Sequence, residues 1–598
     1  MPDQILRRDD LEFLLYDVLD TAALFGRQRY ADFSREAVTA ILDTAERLAA
    51  DHFAPFNRKG DDHEPSFDGE KVTLLTEVKA AWDALAGAGL LAAHHDHERG
   101  GMQLPEVVLR AAMAHFFAAN IAFAGYPFLT IGAANLIESF ASDDLKKRFL
   151  PGMLDGRFSG TMALTEPAQG SALADIRTTA IPQPDGTYRL KGQKMFISAG
   201  DHDLTENIVH MVLARIQGAP PGVKGISLFI CPKYVVNDDG SPGRRNDVAL
   251  AGLLHKMGYR HTTSTVLNFG EQDACEAYLV GEPHQGLGYM FQMMNEARIG
   301  VALGAAALGY AGYLHSLDYA KERPQGRLPS NKDPLSPQVP IIEHADVRRM
   351  LLMQKVYAEG ALALCLYASR LVDDQKTAEH DADRRRARML LDFLTPVVKT
   401  WCSEYCVKAN DLAIQTMGGA GYIRENPVEQ YYRDNRLNPI HEGTTGIQAL
   451  DLLGRKVMMN NGEMLQVFLE ELDGSIAAAH ADPMLAPMGD ALRTARDRLA
   501  EVTACLRREI AADSVRGLAN ATIYLDFVGR IVAAWIWLKQ AAAAARLLEQ
   551  GAANTHFLQG KIQAARFAFD WDLPQIEWQA RLLESINPAC LDMRADWF

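Results

Sequence analysis

Residues 441–448, HEGTTGIQ, place an acid, a flexible glycine and two hydroxyls side by side. Glu442 stands before Gly443, Thr444 and Thr445, and the apolar residues that follow recur at helical spacing. This pattern predicts that Glu442 lies on the turn before a helix. There a carboxylate can project into a site while free backbone N–H groups bind a polar or anionic group. The alternative is a helix-capping acid beside a flexible glycine, because capping carboxylates are common.

Three further segments supply hydroxyl, aromatic, amide and cationic side chains. ALTEPAQGS brings two hydroxyls and a glycine that lets backbone approach a ligand, and KMFISAG brings an aromatic wall and a hydroxyl donor. NEARIG and YAKERPQGR bring cations and amides suited to phosphates and carbonyls. The residues concerned are Thr165, Gly170, Ser171, Phe196, Ser198, Asn295, Arg298, Arg323 and Gln325. Each segment alone also fits an ordinary turn, a core position or a solvated helix end.

The elements that must position these residues change along the chain. Helical spacing runs to about residue 155 and includes a helix that begins after Ser34, a candidate N-cap. TYRLKGQKMFIS and GISLFICP are typical of strands. Helical spacing returns at Gly286, and an alanine-rich helix is predicted from about 514 to 549, ended by Gly551. We predict four domains: a helical domain at 1–156, a β domain at 157–282, a helical domain at 283–460 and an extra helical domain at 461–598.

Composition excludes several classes of protein. The chain has 598 residues, 48% of them hydrophobic and 23% charged, with a formal net charge of −15 and no long Lys/Arg block. This argues against nucleic acid or an anionic membrane as the main partner. The first residues lack a signal-peptide pattern, and the most apolar run, Ile531–Leu538, is too short to cross a bilayer. We therefore predict a cytoplasmic protein with no membrane span.

The sequence gives little support for a metal site or for catalysis by a cysteine thiol. Seven cysteines occur without a CxxC pattern, which favours free thiols in a reducing cytosol. His94, His95, His97 and Glu98 form a dense cluster, but their spacing fits no standard zinc site, so we favour a solvated loop and no metal. Partial glycine motifs at 286 and 418 lack the third glycine of a Rossmann fingerprint.

Taken in order, the motifs resemble those of the acyl-CoA dehydrogenase family. The resemblance covers roughly residues 34–457. The matching motifs are ERGGMQLP, LTEPAQGS, KMFIS, KMG at 256–258, NEAR with YAKERPQGR, QTMGGAGY and HEGTTGIQ. The chain length and the EGTTGIQALDLLGRK form resemble a subgroup of long bacterial members, among them the 3-methylmercaptopropionyl-CoA dehydrogenases. The resemblance implies an α+β fold: an N-terminal helical domain, a middle β-barrel-like domain, a C-terminal four-helix bundle and an additional helical domain.

The resemblance also implies a reaction. The family binds FAD in a cleft between the β domain and the C-terminal helices, removes the α proton of an acyl-CoA thioester and passes the β hydride to flavin N5. The product is a trans-2-enoyl-CoA, and electrons pass to an electron-transfer flavoprotein. Glu442 matches the family's general base. Its backbone N–H and a flavin ribityl hydroxyl are the implied donors to the thioester carbonyl.

Other roles carry over position by position. Phe196 stands where many relatives have tryptophan on the flavin ring, and Ser198 replaces a threonine near N5. Sites in the family are shared across a dimer, so a homodimer is expected, with Arg323, Gln325, Gln415, Gly418 and Gly419 reaching the neighbour's FAD. The remaining FAD contacts are Leu164, Thr165, Gly170, Ser171, Ile197, Gly443, Thr444 and Thr445. The predicted substrate contacts are Ser171, Asn295 and Arg298.

Some positions depart from the family's pattern. Ala172 replaces an acid, Gly446 replaces a glutamine that contacts adenine, and Gln103 replaces the last glycine of a GGxG loop. Some relatives place the base one residue before the conserved arginine, which is Ala297 here. Glu296 is expected on another helix face, so the prediction for the base stays with Glu442.

Several alternatives remain open. We predict medium or long straight acyl chains because that class is broader, and 3-methylmercaptopropionyl-CoA is the second substrate. An acyl-CoA oxidase would pass electrons to oxygen, and a non-enzymatic relative would bind DNA. Residues 485–598 carry no catalytic motif and are expected to pack over the core and add to the dimer contact.

Overall fold

The computed structural model describes residues 5–331 and 333–598, and only the backbone of residues 292–294. The first part is helical, with α1 (Arg8–Glu12), α2 (Arg35–Leu48), α3 (Asn57–Asp62), α4 (Glu77–Gly87), α5 (Glu106–Phe140) and α6 (Asp143–Leu154). Ser34 caps α2 as predicted, because its Oγ accepts from the backbone N–H of Ala37 at 3.3 Å. Helix α5 is kinked at Asn120, whose side-chain oxygen accepts from the N–H of Phe123 at 3.0 Å and so caps the second half.

Strands follow one another from residue 158 to residue 280. After a small pair in the helical region, β1 (Ser66–Phe67) and β2 (Val72–Thr73), they are β3 (Phe158–Ala163), β4 (Thr179–Pro182), β5 (Tyr188–Ser198), β6 (Asn207–Ile216), β7 (Ile226–Pro232), β8 (Tyr234–Val236), β9 (Pro242–Arg245), β10 (Val248–Leu253), β11 (Ser264–Phe269) and β12 (Glu276–Val280). The predicted strands TYRLKGQKMFIS and GISLFICP are therefore β5 and β7.

The main sheet closes on itself. Its order is β10-β11-β5-β12-β7-β6-β3, and β4 pairs with both β5 and β6. Strands β5 and β6 are the two ends of the run β5-β12-β7-β6, so β4 completes a small ring. Most pairs are antiparallel, and β3 and β4 each run parallel to β6. This confirms the predicted barrel-like β domain.

Two apolar cores lie on the two faces of this sheet. The inner core joins side chains of the ring strands, including Leu190, Val212 and Phe229. The outer core packs Ile137 and Phe149, from α5 and α6, against the strands. Alternate residues of one strand point to opposite faces, so both faces of β6 are buried.

Long helices return at Gly286, where the sequence predicts them. They are α7 (Gly286–Glu322), α8 (Ala345–Thr377), α9 (Asp381–Met417), α10 (Gly419–Tyr422), α11 (Val428–Asn435) and α12 (Thr445–Asp451), followed by a π-helical turn at Leu452–Lys456. Polar side chains tie these helices together: the Asn410 amide on α9 donates to the Leu308 carbonyl of α7 at 2.9 Å. Leu450, one of the apolar residues that recur at helical spacing after Thr445, is nevertheless 46% exposed.

The extra C-terminal segment is also helical. It comprises α13 (Glu463–Ala479), α14 (Ala486–Ala512), α15 (Ser514–Leu518), α16 (Ala521–Glu549), α17 (Thr555–Phe567), α18 (Ile576–Glu584) and α19 (Ala589–Asp592). The predicted helix from 514 to 549 is broken at Asn520, which leaves helical geometry (φ −110°, ψ 27°). Gly551 ends α16 as predicted, with φ +78°. Trp537 of α16 donates to the Val356 carbonyl of α8 at 3.0 Å, so the segment packs on the long helices.

A buried ionic cluster joins three distant parts of the sequence. Lys561 forms an ion pair with Asp10 at 2.5 Å and donates to Glu359 at 2.7 Å, and all three are 1% exposed or less. Tyr310 donates to the other Asp10 oxygen at 2.8 Å, and Lys355 pairs with Glu359. Every carboxylate in the cluster is thus compensated, which buried charge requires.

Three described helices are long and apolar enough to cross a membrane by length and composition alone: Glu106–Phe140, Gly286–Glu322 and Ala521–Glu549. In their most apolar windows 100%, 100% and 83% of the residues are buried inside protein. The sequence argument from the short run Ile531–Leu538 was therefore wrong, because the whole helix that carries it has 29 residues. The absence of a membrane span stays a prediction.

The chain divides into two compact units. One comprises the residues up to Val38, Pro105–Ala114 and Val301–Phe598, and the other comprises Thr39–Leu104 and His115–Gly300. The four domain boundaries given above stay predictions. All seven cysteines are free thiols, and Cys231 and Cys275 bring their sulfurs to 3.4 Å inside the β domain.

Candidate active site

Glu442 lies on the turn before α12, as predicted, and its backbone is in the left-handed region (φ +54°). This conformation costs a residue with a side chain about 1–3 kcal/mol, and such strain is concentrated at functional sites. The helix cap is Thr444, whose hydroxyl accepts from the N–H of Ile447 at 3.4 Å. Glu442 is therefore not the N-cap of α12.

One buried amide holds this turn. The Gln448 side chain donates to the carbonyls of Glu442 at 3.1 Å and Gly443 at 3.4 Å. Gly443 has φ +90°, and a Cβ there would lie 2.5 Å from the Gln448 nitrogen. A side chain at Gly443 would thus displace the amide that fixes the backbone of Glu442.

A ladder of asparagines reaches the turn from the other side. His441 bonds Asn438 at 3.0 Å, Asn438 donates to Asn435 at 2.9 Å, and Asn435 donates to Asn410 at 2.7 Å. Burial, helped by the positive charge of Lys399, lowers the pKa of His441 to about 3. His441 is therefore neutral at neutral pH, and its ring donates to the Asn438 oxygen. The residue before Glu442 is thereby tied to α9 and α11.

In the β domain, a buried ion pair fixes the loop after β3. Lys194 is fully buried and donates to Glu166 at 3.0 Å and to the Leu164 carbonyl at 2.9 Å. Glu166 also accepts from the N–H groups of Arg177 at 2.7 Å and Thr178 at 2.9 Å. We call Glu166 and Lys194 the clasp. Although burial opposes ionisation, these partners lower the pKa of the Glu166 carboxyl below its usual value.

The clasp brings two predicted segments together. The N–H of Met195 in β5 donates to the Thr165 carbonyl at 2.9 Å, so LTEPAQGS lies against KMFIS. Leu164 and Thr165 are half-buried, while Gly170 and Ser171 are exposed. A ligand at this loop can therefore contact the exposed backbone of Gly170 and the exposed hydroxyl of Ser171.

Phe196 is presented by a β-bulge. The register between β5 and β11 shifts so that Thr265 pairs with Ile197 and Leu267 pairs with Lys194. Phe196 takes φ +60° and is 62% exposed, an unusual state for an aromatic residue. Ile197 points into the β-domain core, which leaves its backbone as the group available to a ligand.

Asn295 and Arg298 lie together on α7. Arg298 is 2% exposed and its guanidinium donates to the Asn295 oxygen at 3.4 Å. Glu296 accepts from the Asn135 amide at 2.8 Å, and Asn135 accepts from His94 at 2.7 Å. The carboxylate that was weighed against Glu442 as a base is thus engaged with α5.

The residues predicted to reach a neighbouring subunit are open to solvent. Arg323 and Gln325 are exposed on the loop after α7, and Gln415, Gly418 and Gly419 are exposed at the end of α9. In the described part of the chain no hydrogen bond joins the two groups. Gly418 has φ +60°, which ends α9.

Sequence reasoning missed three groups that fix the backbone of the candidate residues: the clasp, the asparagine ladder and Gln448. Glu166 lies in the motif LTEPAQGS and Lys194 in the motif KMFIS. The sequence did not show that they pair, and charged residues without a known partner are predicted at the surface. The asparagine ladder and Gln448 left no signal beyond the presence of polar residues in an apolar helical pattern. Among the described residues no three His, Cys, Asp or Glu side chains gather as a metal site, and His97 bonds the Gly101 carbonyl at 3.1 Å.

Family models match most of the chain. The model described as acyl-CoA dehydrogenase, N-terminal domain, matches residues 35–157, and that for the middle domain matches 161–271. The model for the acyl-CoA dehydrogenase C-terminal domain matches 284–458. The one described as acetyl-CoA dehydrogenase C-terminal like matches 468–594.

Similar proteins extend over almost the full length. A 3-methylmercaptopropionyl-CoA dehydrogenase of Ruegeria pomeroyi is 38% identical over 93% of this chain and 94% of its own. A broad-specificity linear acyl-CoA dehydrogenase of Mycobacterium tuberculosis is 34% identical over 98% of both chains. A butyryl-CoA dehydrogenase of Syntrophomonas wolfei is also 34% identical over 98% of both.

Solved structures share the fold. Caenorhabditis elegans ACDH-11 in complex with C11-CoA has a TM-score of 0.77 at 19% identity, covering 98% of this chain and 95% of its own. An acyl-CoA dehydrogenase complexed with FAD from Bacillus anthracis has a TM-score of 0.75 at 22% identity, covering 98% and 93%.

Proposed function

Since this chain belongs to the acyl-CoA dehydrogenase family and is an FAD-dependent oxidoreductase, we propose that it oxidises an acyl-CoA thioester to the trans-2-enoyl-CoA, with Glu442 as general base. One observation carries the assignment of the base. The backbone of Glu442 is held in a strained conformation by Gln448, while Thr444 performs the capping that a carboxylate could have done. The strain is explained if the carboxylate is needed where this turn places it.

The described residues fit FAD. Phe196 presents an exposed aromatic face suited to a flat ring, and Ser171, in the loop after β3, offers an exposed hydroxyl. Glycines and polar side chains at 323–325, 415–419 and 443–445, most of them exposed or half-buried, suit a diphosphate and a nucleotide. Bound FAD supplies the acceptor for the β hydride. We propose these residues, with Leu164, Thr165, Gly170, Ile197 and Ser198, as its contacts.

The chain's own groups would perform the proton chemistry. The Glu442 carboxylate takes the α proton of the thioester, and its backbone N–H donates to the thioester carbonyl as negative charge develops there. Asn295 and Arg298 orient the substrate. A general base of this kind contributes about 10²–10⁴-fold to the rate when it is correctly positioned.

For the substrate we propose a linear acyl chain, and for the electron acceptor an electron-transfer flavoprotein. Two similar proteins bear names that specify a linear chain or butyryl-CoA. The relative at 38% identity favours 3-methylmercaptopropionyl-CoA as the second candidate. Its thioether sulfur takes the place of one methylene, so pentanoyl-CoA is its matched hydrocarbon. The preference for medium or long chains, the homodimer and the cytoplasmic location stay predictions.

The test is anaerobic mixing of the purified protein with acyl-CoAs from C4 to C16 and with 3-methylmercaptopropionyl-CoA, while the flavin absorbance is followed. We expect rapid bleaching by one class, and slow reoxidation by oxygen compared with an electron-transfer flavoprotein. Glu442→Gln should keep its flavin spectrum and lose bleaching, whereas Glu296→Gln and the exposed control Glu425→Gln should bleach normally. Bleaching lost in Glu296→Gln and retained in Glu442→Gln would move the base to α7. Fast peroxide formation would indicate an oxidase.

A further inference from the structure

Lys399 places a positive charge among the long helices. It lies on one face of α9 with side chains that recur every three or four positions and are all 0% exposed: Lys399, Ser403, Cys406 and Asn410. This face packs against α7, because Asn410 donates to the Leu308 carbonyl. A lysine is almost never fully buried unless an acid compensates its charge. The burial of Lys399 therefore predicts a carboxylate nearby.

The chain that leads to α12 runs back along α9 toward Lys399. Asn435 donates to Asn410, and ten residues later Thr445 donates to Glu404, which lies six residues before Asn410 on α9. This part of the chain is therefore antiparallel to α9. Lys399 lies five residues before Glu404, which is about one and a half helical turns, or about 7.5 Å along the helix axis.

The charge of Lys399 acts on the residue before Glu442. Burial, helped by this charge, lowers the pKa of the His441 ring to about 3. A cation has such an effect only at short range, in surroundings that screen it little. Glu442 follows His441 directly and is half-buried, so the same charge acts on its carboxylate. There the effect is reversed, because a positive neighbour disfavours a charged imidazole and favours a charged carboxylate.

The role proposed for Glu442 requires a charged carboxylate, because a general base must be ionised before it can take a proton. Burial works against this, since removal from water disfavours the charged form of a carboxyl group. A fixed cation offsets that cost. It also limits the positions of the carboxylate, which adds to the restraint that Gln448 applies to the backbone of the turn.

Other charged side chains near the start of α12 are exposed, compensated or of the wrong sign. Lys408 and Glu404 of α9 and Asp526 of α16 line one cavity with the first residue of α12. Lys408 is exposed, so water screens its charge. Asp526 pairs with Arg530 at 3.3 Å, and the negative charge of Glu404 opposes ionisation of a second carboxyl group. Lys399 is the buried cation of this group.

We propose that Lys399 is a positioning residue for the base: its ammonium group keeps the Glu442 carboxylate ionised and restrains it beside α9. The inference rests on the proposed function, because it concerns the base of that reaction. Lys399 acts through Glu442 and makes no contact with the substrate. It also lies outside the motifs that show the family resemblance.

The first test is the pH dependence of flavin bleaching in the holoenzyme. Lys399→Met keeps an unbranched side chain of similar length and removes the charge. We expect the bleaching rate at saturating acyl-CoA to rise with pH through a midpoint about 1–3 pH units above that of the wild type. Above the new midpoint the rate should return close to the wild-type rate, because the carboxyl group is then ionised without the cation.

Lys456→Met is the matched control. Lys456 is also a buried lysine, 5% exposed, but it pairs with Asp392 at 3.0 Å. Its loss removes the same net charge and should leave the midpoint at the wild-type pH. Equal shifts in the two variants would assign the effect to net charge and overturn the proposal. An unchanged midpoint in Lys399→Met would also overturn it, because a purely structural role moves no midpoint.

A second test needs no turnover. The melting temperatures of Lys399→Met, Glu442→Gln and the double variant are compared. Each single change leaves one charge without its counter-charge, so the double variant should lose less stability than the sum of the two single losses. If Lys399→Met is too unstable to purify, recovery of folded protein in the double variant supports the pairing.

Additive losses, or no recovery in the double variant, would contradict the pairing of Lys399 with Glu442. Failure of the proposed function is a separate result. It is read from wild-type flavin that no acyl-CoA bleaches, whereas the coupling between the two side chains is measured in the absence of substrate.

Discussion

Phe196 and Glu442 hold the same left-handed backbone conformation, and the molecule supports them in different ways. The segment around Phe196 is fixed by the clasp, a buried ion pair with a set of charge-assisted hydrogen bonds. The turn at Glu442 is fixed by the neutral amide of Gln448 and by the asparagine ladder. Buried networks of charged groups are costly to break, whereas hydrogen bonds between neutral side-chain amides and their acceptors are weaker. The comparison indicates that the backbone of Phe196 is held more rigidly than the backbone of Glu442.

The largest effect should come from breaking the clasp. Lys194→Met leaves the Glu166 carboxylate buried without its cation, and removal of one partner of a buried pair costs about 3–5 kcal/mol. We expect a large fall in melting temperature and loss of bound flavin, measured by thermal denaturation and by the flavin-to-protein absorbance ratio.

Lys191→Met is the control on the same strand, because Lys191 pairs with Asp273 at 2.7 Å in an exposed position. An exposed pair contributes only about 0–1 kcal/mol. The double variant Lys194→Met/Glu166→Gln should recover part of the stability. Equal effects at Lys191 and Lys194 would contradict the role assigned to the clasp.

Removing the Gln448 amide should affect catalysis more than stability. Gln448→Met keeps the volume and loses a neutral hydrogen bond, which costs about 0.5–1.5 kcal/mol. We expect kcat to fall by about tenfold, because the base would sample other positions. The exposed Gln466→Met on α13 should leave both quantities unchanged. If kcat were unaffected in Gln448→Met, the amide would not position Glu442.

Relieving the strain at Phe196 should separate stability from binding. Phe196→Gly permits the left-handed backbone and should stabilise the unliganded protein by up to about 1 kcal/mol, while flavin affinity falls with the aromatic face. Ala199, next to the strand end, has φ +56° and is buried. Ala199→Gly should relieve similar strain without a change in flavin affinity. Loss of affinity in both variants would show that backbone flexibility, not the ring, is responsible.

The smallest expected effect is on the pH dependence of stability. Burial lowers the pKa of Lys194 from 10.5 to about 8 in the folded protein. Between these pH values the unfolded chain keeps a proton that the folded chain has released, so this group makes the free energy of unfolding rise with pH. Lys194→Met should lower that slope between pH 8 and pH 10.5 relative to wild type, measured by denaturant unfolding. Identical slopes would mean that Lys194 does not titrate in this range.

Much of the fold could be predicted because it depends on residues that are close together in the sequence. The cap at Ser34, the strand TYRLKGQKMFIS, the helix start at Gly286 and the turn before α12 depend on residues within a few positions of one another. Hydrophobic spacing and capping preferences act over the same range. Recognition of the family depended on ordered motifs, which are also short.

Long-range partners explain what could not be predicted. Glu166 and Lys194 are 28 residues apart and form a buried ion pair. Charged residues of this kind are ordinarily predicted at the surface, so the pair could not be predicted from the residue types alone. The Asn520 break within an alanine-rich run and the exposure of Leu450 reflect packing that overrides propensity. Gln103 takes φ +55°, a left-handed conformation that favours glycine, at the position where the family pattern has glycine.

The ionic cluster of Asp10, Glu359 and Lys561 has a consequence for folding during synthesis of the chain. Glu359 and Lys561 are 202 residues apart, and ribosomes add about 5–20 residues per second. Lys561 is therefore synthesised about 10–40 s after Glu359, and Asp10 lacks this cation until then. The contact of α1 with the long helices can therefore be completed only after the extra C-terminal segment has been synthesised, so this part of the fold forms late although α1 is made first.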